Sequence, residues 1–190
     1  VADLLINVNV PTTSGFTTRV TNAADLRNNG IEVGLTLQPI SNRNFNWYSR
    51  TAFWLNRSEI TRLDVPAFNL GAFGATLGTF RIEEGKSATQ IVGISPNGVV
   101  AFGDAEPDFQ MSFQNTLNYK DLELSFLIHW KQGGDNINLS TLLTDIYGTS
   151  PDFDDTDLDP NGELTNGNYR LNSLGTTAQA WIEDASYVRL

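Results

Sequence analysis

The stretch FQMSFQNTLNYKDLELSFLIHW, residues 109–130, alternates apolar and polar side chains through two runs joined at Lys120-Asp121. Phe109, Met111, Phe113, Leu117 and Tyr119 share one face of the first run. Leu122, Leu124, Phe126, Ile128 and Trp130 share one face of the second. Gln110, Ser112, Gln114, Thr116 and Asn118 occupy the opposite face of the first, and Glu123, Ser125, Leu127 and His129 that of the second. A period of two is the period of a β-strand, and a tight turn between two such runs makes a hairpin. The apolar face must meet a protein core or lipid, and alternation by itself fits both. Asn115, polar but on the apolar face, fits least well.

The same alternation recurs elsewhere. Residues 1–10 (VADLLINVNV) and 31–40 (IEVGLTLQPI) read as strands, the second with Ile31, Val33, Leu35 and Leu37 opposite Glu32, Gly34, Thr36 and Gln38. In 45–56, Phe45, Trp47, Thr51, Phe53 and Leu55 oppose Asn46, Tyr48, Arg50 and Asn56, and DASYVRL (184–190) begins another strand. Helical periodicity is almost absent. The connections carry more information. Turns at 41–44 and 120–121 are short, two connections run to about fifty residues, and Thr- and Asn-rich 11–30 reads as a further loop. Short turns at one end of a sheet and long loops at the other are the asymmetry of a transmembrane β-barrel. Runs of about ten residues also suit a tilted membrane-crossing strand better than the typical soluble strand. The expected fold is all-β: antiparallel up-and-down strands, part of a transmembrane β-barrel with long extracellular loops. A soluble β-sandwich would show the same apolar alternation and stands as the alternative.

Composition excludes several classes. Net charge is −10, from 22 acidic and 12 basic residues, with no Lys/Arg run, so no nucleic-acid partner is expected. There are no cysteines, which removes disulfide frameworks, zinc ribbons and thiol catalysis. No apolar run is long enough for a transmembrane helix. The chain does not start with Met, lacks a signal-peptide pattern, and stops inside an apparent strand, so it is expected to be a processed or internal piece of a longer protein.

Candidate chemistry is sparse. The acidic stretch 151–164 (PDFDDTDLDPNGEL) places Asp157, Asp159, Asn161 and Gly162 as the first half of a calcium loop. Asn168 stands where the closing bidentate Glu belongs, so the full motif is absent and a solvated acidic loop is the simpler reading. His129, the single histidine, has no second His and no Cys with which to build a metal site, and reads as a lumen or rim residue. The carboxylate pairs Glu83-Glu84 and Asp154-Asp155 point apart as sequence neighbours. No G-x-S-x-G or phosphate-binding loop occurs. Trp47, Tyr119 and Trp130 lie near strand ends on the apolar face, where rings favour a membrane interface. Trp54 and Tyr48 lie on the polar face, positioned to stack on a sugar ring or peptide side chain, or to pack against a plug or loops. No catalytic, cofactor-binding or metal residue is assigned, and substrate-binding residues are left open.

Five stretches in order resemble the SusC/RagA-type TonB-dependent transporters of the Bacteroidetes outer membrane. They are DLLINVNVPTTSGF (3–16), LRNNGIEVGLTLQPI (26–40), RIEEGKSATQIVGI (81–94), GDAEPDFQMSFQNTLNYKDLELSF (103–126) and WIEDASYVRL (181–190). Ser87 and Ala88 depart from the family's Pro-containing pattern. The resemblance implies a late, C-terminal section of a barrel of about 22 strands. Residues 1–190 would then form one partial barrel segment without the plug domain or the remaining strands. It further implies import of oligosaccharides or peptides, no enzyme activity and no cofactor. The implied partners are a SusD-like surface lipoprotein, TonB acting through the absent N-terminal region, and outer-membrane lipid. The alternative function is a soluble secreted β-domain that binds glycans, with calcium at 157–161.

Overall fold

The computed structural model of the chain describes residues 1–70 and 74–190, apart from the side chains of Asn9 and Thr12. The strands are β1 (Leu4–Asn9), β2 (Thr18–Ser41), β3 (Phe45–Leu63), β4 (Phe68–Leu70), β5 (Thr79–Ile82), β6 (Gln90–Ser95), β7 (Gly98–Asp104), β8 (Phe109–Tyr119), β9 (Leu122–Gln132), β10 (Asp135–Ile137), β11 (Ile182–Asp184) and β12 (Tyr187–Arg189). Two short helices, α1 (Leu139–Ile146) and α2 (Asn166–Asn172), lie in the last long connection. The largest sheet has six strands in the order β1-β2-β3-β8-β9-β12. A second sheet runs β4-β5-β6-β7, and β10 pairs with β11. Every pairing whose register is defined is antiparallel. The expected all-β antiparallel class holds.

The chain divides into two compact units. The first comprises residues 1–27, 58–105 and 135–183, and the second residues 28–57, 106–134 and 184–190. β2 and β3 contribute residues to both.

The second unit is built by the alternating runs. The β8–β9 hairpin pairs Phe113 with Ile128, Leu117 with Leu124 and Tyr119 with Leu122, so the apolar faces coincide. On its other side, β8 pairs Leu117 with Trp47, Phe113 with Thr51 and Met111 with Phe53 of β3. A ladder that joins like faces across three strands forces one side of the sheet to be apolar. The turn is tight: Lys120 takes φ 52°, and its N–H donates to the Asn44 carbonyl at 3.0 Å, tying the two short turns together. None of the buried residues, apolar or polar, lies in this unit. It is a single layer of sheet without a core of its own.

The first unit does have a core. Ile60, Ile82, Ile91, Val92, Ala178 and Trp181 are buried in it, Trp181 completely. The Ala178 N–H donates to the Ile94 carbonyl at 2.9 Å, which brings the 178–181 segment against β6. Ion pairs tie β1, β2 and the far end of β3. Arg62 reaches Asp3 at 2.9 Å and Asp25 at 3.1 Å, and Arg27 pairs with Glu59.

Three sequence expectations change here. Residues 18–30, expected as loop, form the first half of β2, paired with β1 from Leu4↔Ala24 to Asn9↔Thr18. The connection preceding them is only 10–17, so it is short rather than long. Thr, Asn and Arg on both faces hide a strand from any periodicity test, while the ladder to β1 and the Arg62 and Arg27 pairs hold it extended. The two long connections are present, running from Leu63 to Phe109 and from Gln132 to Tyr187, but they fold into the second sheet and the helices. Each helix is about two turns long, too short to show a helical period. Asn138 caps α1 by accepting from the Thr141 N–H at 3.1 Å, and Thr165 caps α2 from the Asn168 N–H.

Candidate functional site

Within the second unit, the polar face carries an aromatic and cationic cluster. His129 of β9 stacks on Trp54 of β3, with ring centroids 5.7 Å apart and planes at 17°. Tyr187 of β12 meets the imidazole edge-on at 5.4 Å, and the Arg189 guanidinium sits 4.9 Å over the Tyr187 ring. The pairing Arg189↔His129 places these residues side by side across the strand pair. A cleft of about 580 Å³ is lined by Trp54, Ser112, Ser125, Leu127, His129 and Arg189, among others. His129 Nδ1 lies 3.2 Å from the Tyr187 hydroxyl and 3.4 Å from Arg189 Nη2. Guanidinium only donates, so Nδ1 is the acceptor and the ring proton belongs on Nε2, which is buried and has no protein partner among the described residues. His129 and Trp54 thus sit on the face the alternation assigns them, and Tyr48 shares it on β3. Sequence reasoning did not find the joining of His129 with Trp54, Tyr187 and Arg189, because it depends on register over 58 and 60 residues of chain.

On the apolar face, Trp47 donates its Nε1–H to Asn115 Oδ1 at 3.0 Å. The residue that fits the alternation least is therefore the partner that satisfies a tryptophan N–H on the greasy side. Asn115 pairs with Ser49 of β3, one step along the face from Trp47.

In the first unit, the acidic stretch 151–164 is tied inward. Asp159 is buried; its Oδ1 accepts the Asn161 N–H at 3.1 Å, and its Oδ2 those of Glu163 and Leu164 at 2.9 and 3.0 Å. Asp157 Oδ1 accepts from Asn166 Nδ2 at 2.7 Å. The half-motif for calcium thus serves as a set of turn caps, with Gly162 at φ 65° closing the turn. The described residues contain no cluster of His, Asp and Glu disposed to hold a metal ion. The Asn161 N–H, followed by those of Leu164 and Glu163, holds the Asp159 carboxyl below the usual carboxylate range.

The anchor of this loop is a buried ion cluster. Arg170 of α2 grips Asp145 of α1 with two bonds, Nε–Oδ2 2.6 Å and Nη2–Oδ1 2.8 Å, and reaches Asp152 at 2.8 and 3.0 Å. The Asp145 side chain is 0% exposed and that of Arg170 6%. Ser150 donates to Asp145 within the same group. Hydrogen bonds from the guanidinium hold the Asp152 carboxyl below its ordinary range, and Asp145 and Asp152 raise the Arg170 pKa, so the group stays charged. Sequence reading passed over Arg170, since a lone Arg 25 residues from its Asp carries no local signature. Glu83 and Glu84 take different partners, while Asp154 and Asp155 line one cavity with Thr156 and Asp157. Glu83 binds Arg81 at 2.9 Å, while Glu84 accepts the Leu63 N–H at 3.1 Å.

Known proteins resemble the chain in sequence and in fold. TonB-dependent receptor P26 of Formosa agariphila is 27% identical in an alignment covering 99% of this chain and 24% of that receptor. TonB-dependent receptor P39 of the same organism is 30% identical over 62% of this chain and 12% of its own length. The structure of the RagAB peptide transporter matches the whole chain with a TM-score of 0.66 at 19% identity, covering 25% of that chain. The RagAB peptide importer in its open-open state matches with a TM-score of 0.63 at 18% identity, covering 24% of that chain. No family model matches. The chain spans about a quarter of the length of the relatives it matches over its whole extent. The resemblance read from the sequence is borne out: in sequence and in fold, this chain is similar to a segment of a SusC/RagA-type TonB-dependent transporter.

Proposed function

We propose that the chain forms part of the wall of an outer-membrane, TonB-dependent nutrient importer of the Bacteroidetes type, taking up oligosaccharides or peptides. One observation carries this reading. The second unit is a single sheet layer whose apolar face stays open, with Leu122 and Leu124 each more than half exposed. A greasy face of that extent needs a solvent that is not water, and a barrel wall supplies lipid on one side and an aqueous lumen on the other. In this reading Phe113, Leu117, Leu124, Phe126 and Ile128 face lipid, and Gln114, Thr116 and Ser125 face the channel. The 190 residues are one partial barrel segment, completed by a plug and further strands outside this chain. A SusD-like surface lipoprotein would meet the long loops, and TonB would act through the plug-bearing region. The role is transport rather than catalysis, in keeping with the receptor and transporter names of the relatives.

A soluble glycan-binding β-domain is the weaker reading. It requires a second layer over the apolar face, and the second unit buries no residue of its own. Its calcium variant is weaker still, since both oxygens of Asp159 already accept backbone N–H groups. Cell fractionation tests the proposal. The intact protein should partition to the outer-membrane fraction and need detergent for extraction; recovery in the soluble fraction would overturn it.

A further inference from the structure

On the polar face of the second unit, a groove of about 570 Å³ runs across β2 and β3. Its floor is the sheet at Val33, Gly34, Ala52 and Phe53, its walls are Trp54 and Arg50, and Glu32 borders it. A methyl group built on Gly34 would meet nothing within 4 Å, so the space above the floor is open. Trp54 borders this groove and also stacks on His129, which fixes the ring's plane. Arg50 is exposed and forms no hydrogen bond or ion pair among the described residues, in a chain where acidic groups outnumber basic ones 22 to 12. An unpaired guanidinium beside a held indole, over a floor left open at Gly34, is a complement to a flat ring bearing an anionic group.

From this geometry we infer that the groove is a subsite for a uronate-type sugar residue of an anionic oligosaccharide. The inference rests on the lumen reading of the polar face. The pyranose face stacks on Trp54, the carboxylate takes Arg50, and Glu32 accepts ring hydroxyls. A peptide fits this surface less well. The main-chain groups under the groove are engaged in the sheet ladder, so a peptide's amides would lie over a sheet face with no backbone partners.

The test uses the intact, detergent-solubilised protein and titration calorimetry with three probes: tri-galacturonate, neutral galactotriose and tri-glutamate. Tri-galacturonate should bind, and Arg50→Gln should weaken it at least about tenfold while leaving galactotriose within about twofold. Gly34→Val, which fills the groove without touching the fold, should weaken both sugars. Unchanged tri-galacturonate affinity in Arg50→Gln, absence of tri-galacturonate binding, or preferential binding of tri-glutamate would each overturn the inference. Fractionation of the wild type keeps the two readings apart. A protein resident in the outer membrane with an inert Arg50 loses only the sugar subsite, whereas a soluble protein loses the transporter reading itself.

Discussion

At the scale of single residues, Arg170 and Asp145 show how a buried charge is tolerated. Asp145 is fully enclosed, and its two oxygens are satisfied by a bidentate guanidinium and the Ser150 hydroxyl. Removing the cation strands a carboxylate in a dry site, a change that costs about 3–5 kcal/mol. Arg170→Met should therefore release residues 139–172, seen as accelerated amide hydrogen exchange there while β8 and β9 keep their protection; unchanged exchange in α1 and α2 would contradict the role given to Arg170. The depressed Asp152 and Asp159 carboxyls set a pH dependence of known sign. A carboxyl whose folded pKa lies below its unfolded value of about 3.9 contributes stability above that value and loses it as pH falls through the folded pKa. Hydroxyl-radical footprinting of Phe153, which packs on Gly167, should be flat from pH 8 to about 5 and rise only below about pH 4. A rise centred near pH 6 would point to a different titrating group. None of this was legible from the composition of 151–164, which looks the same whether its carboxylates face water or cap turns.

At the scale of elements, the two faces of β8 and β9 make opposite demands on the same substitution. An Arg on the lipid side of a barrel strand costs about 2–4 kcal/mol near the bilayer midplane, while a lumen position accepts it. In the proposed wall, Ile128→Arg, at mid-strand, should lower outer-membrane yield and the urea midpoint of the intact protein, and Gln114→Arg should leave both near wild type. Equal behaviour of the two variants would mean the faces are assigned wrongly. The face assignment was legible in the sequence because strand geometry is strictly local: side chains alternate whatever the partner. The upper half of β2 was not, because Thr18–Arg27 owes its extension to β1 and to Arg27 and Arg62, not to an alternating pattern of its own. Asn115 lay between these cases. Its position on the apolar face was readable, and its reason, the Trp47 N–H, required the β3–β8 register.

At the scale of the molecule, the two units differ in what holds them. The first encloses Trp181, Ile60 and Ile91, while the second encloses nothing and displays an apolar face. In the proposed reading the chain is part of a wall, and its open sheet edges and apolar face cannot be satisfied in water. The isolated 190-residue chain should therefore aggregate in detergent-free buffer and elute as a large species on size exclusion; a monomeric peak without detergent would show that the apolar face has found another cover. What the sequence determined by itself was the all-β class, the apolar and polar sides of β3, β8 and β9, and the short turns at 41–44 and 120–121. These follow from dihedral and alternation rules that act within a few residues. Only the tertiary structure decided that the long connections carry a core and helices, that Arg170 clasps Asp145, and that Trp54, His129, Tyr187 and Arg189 assemble on one face. Those contacts join residues far apart in the chain, and their existence depends on strand register and chain path, which no local pattern encodes.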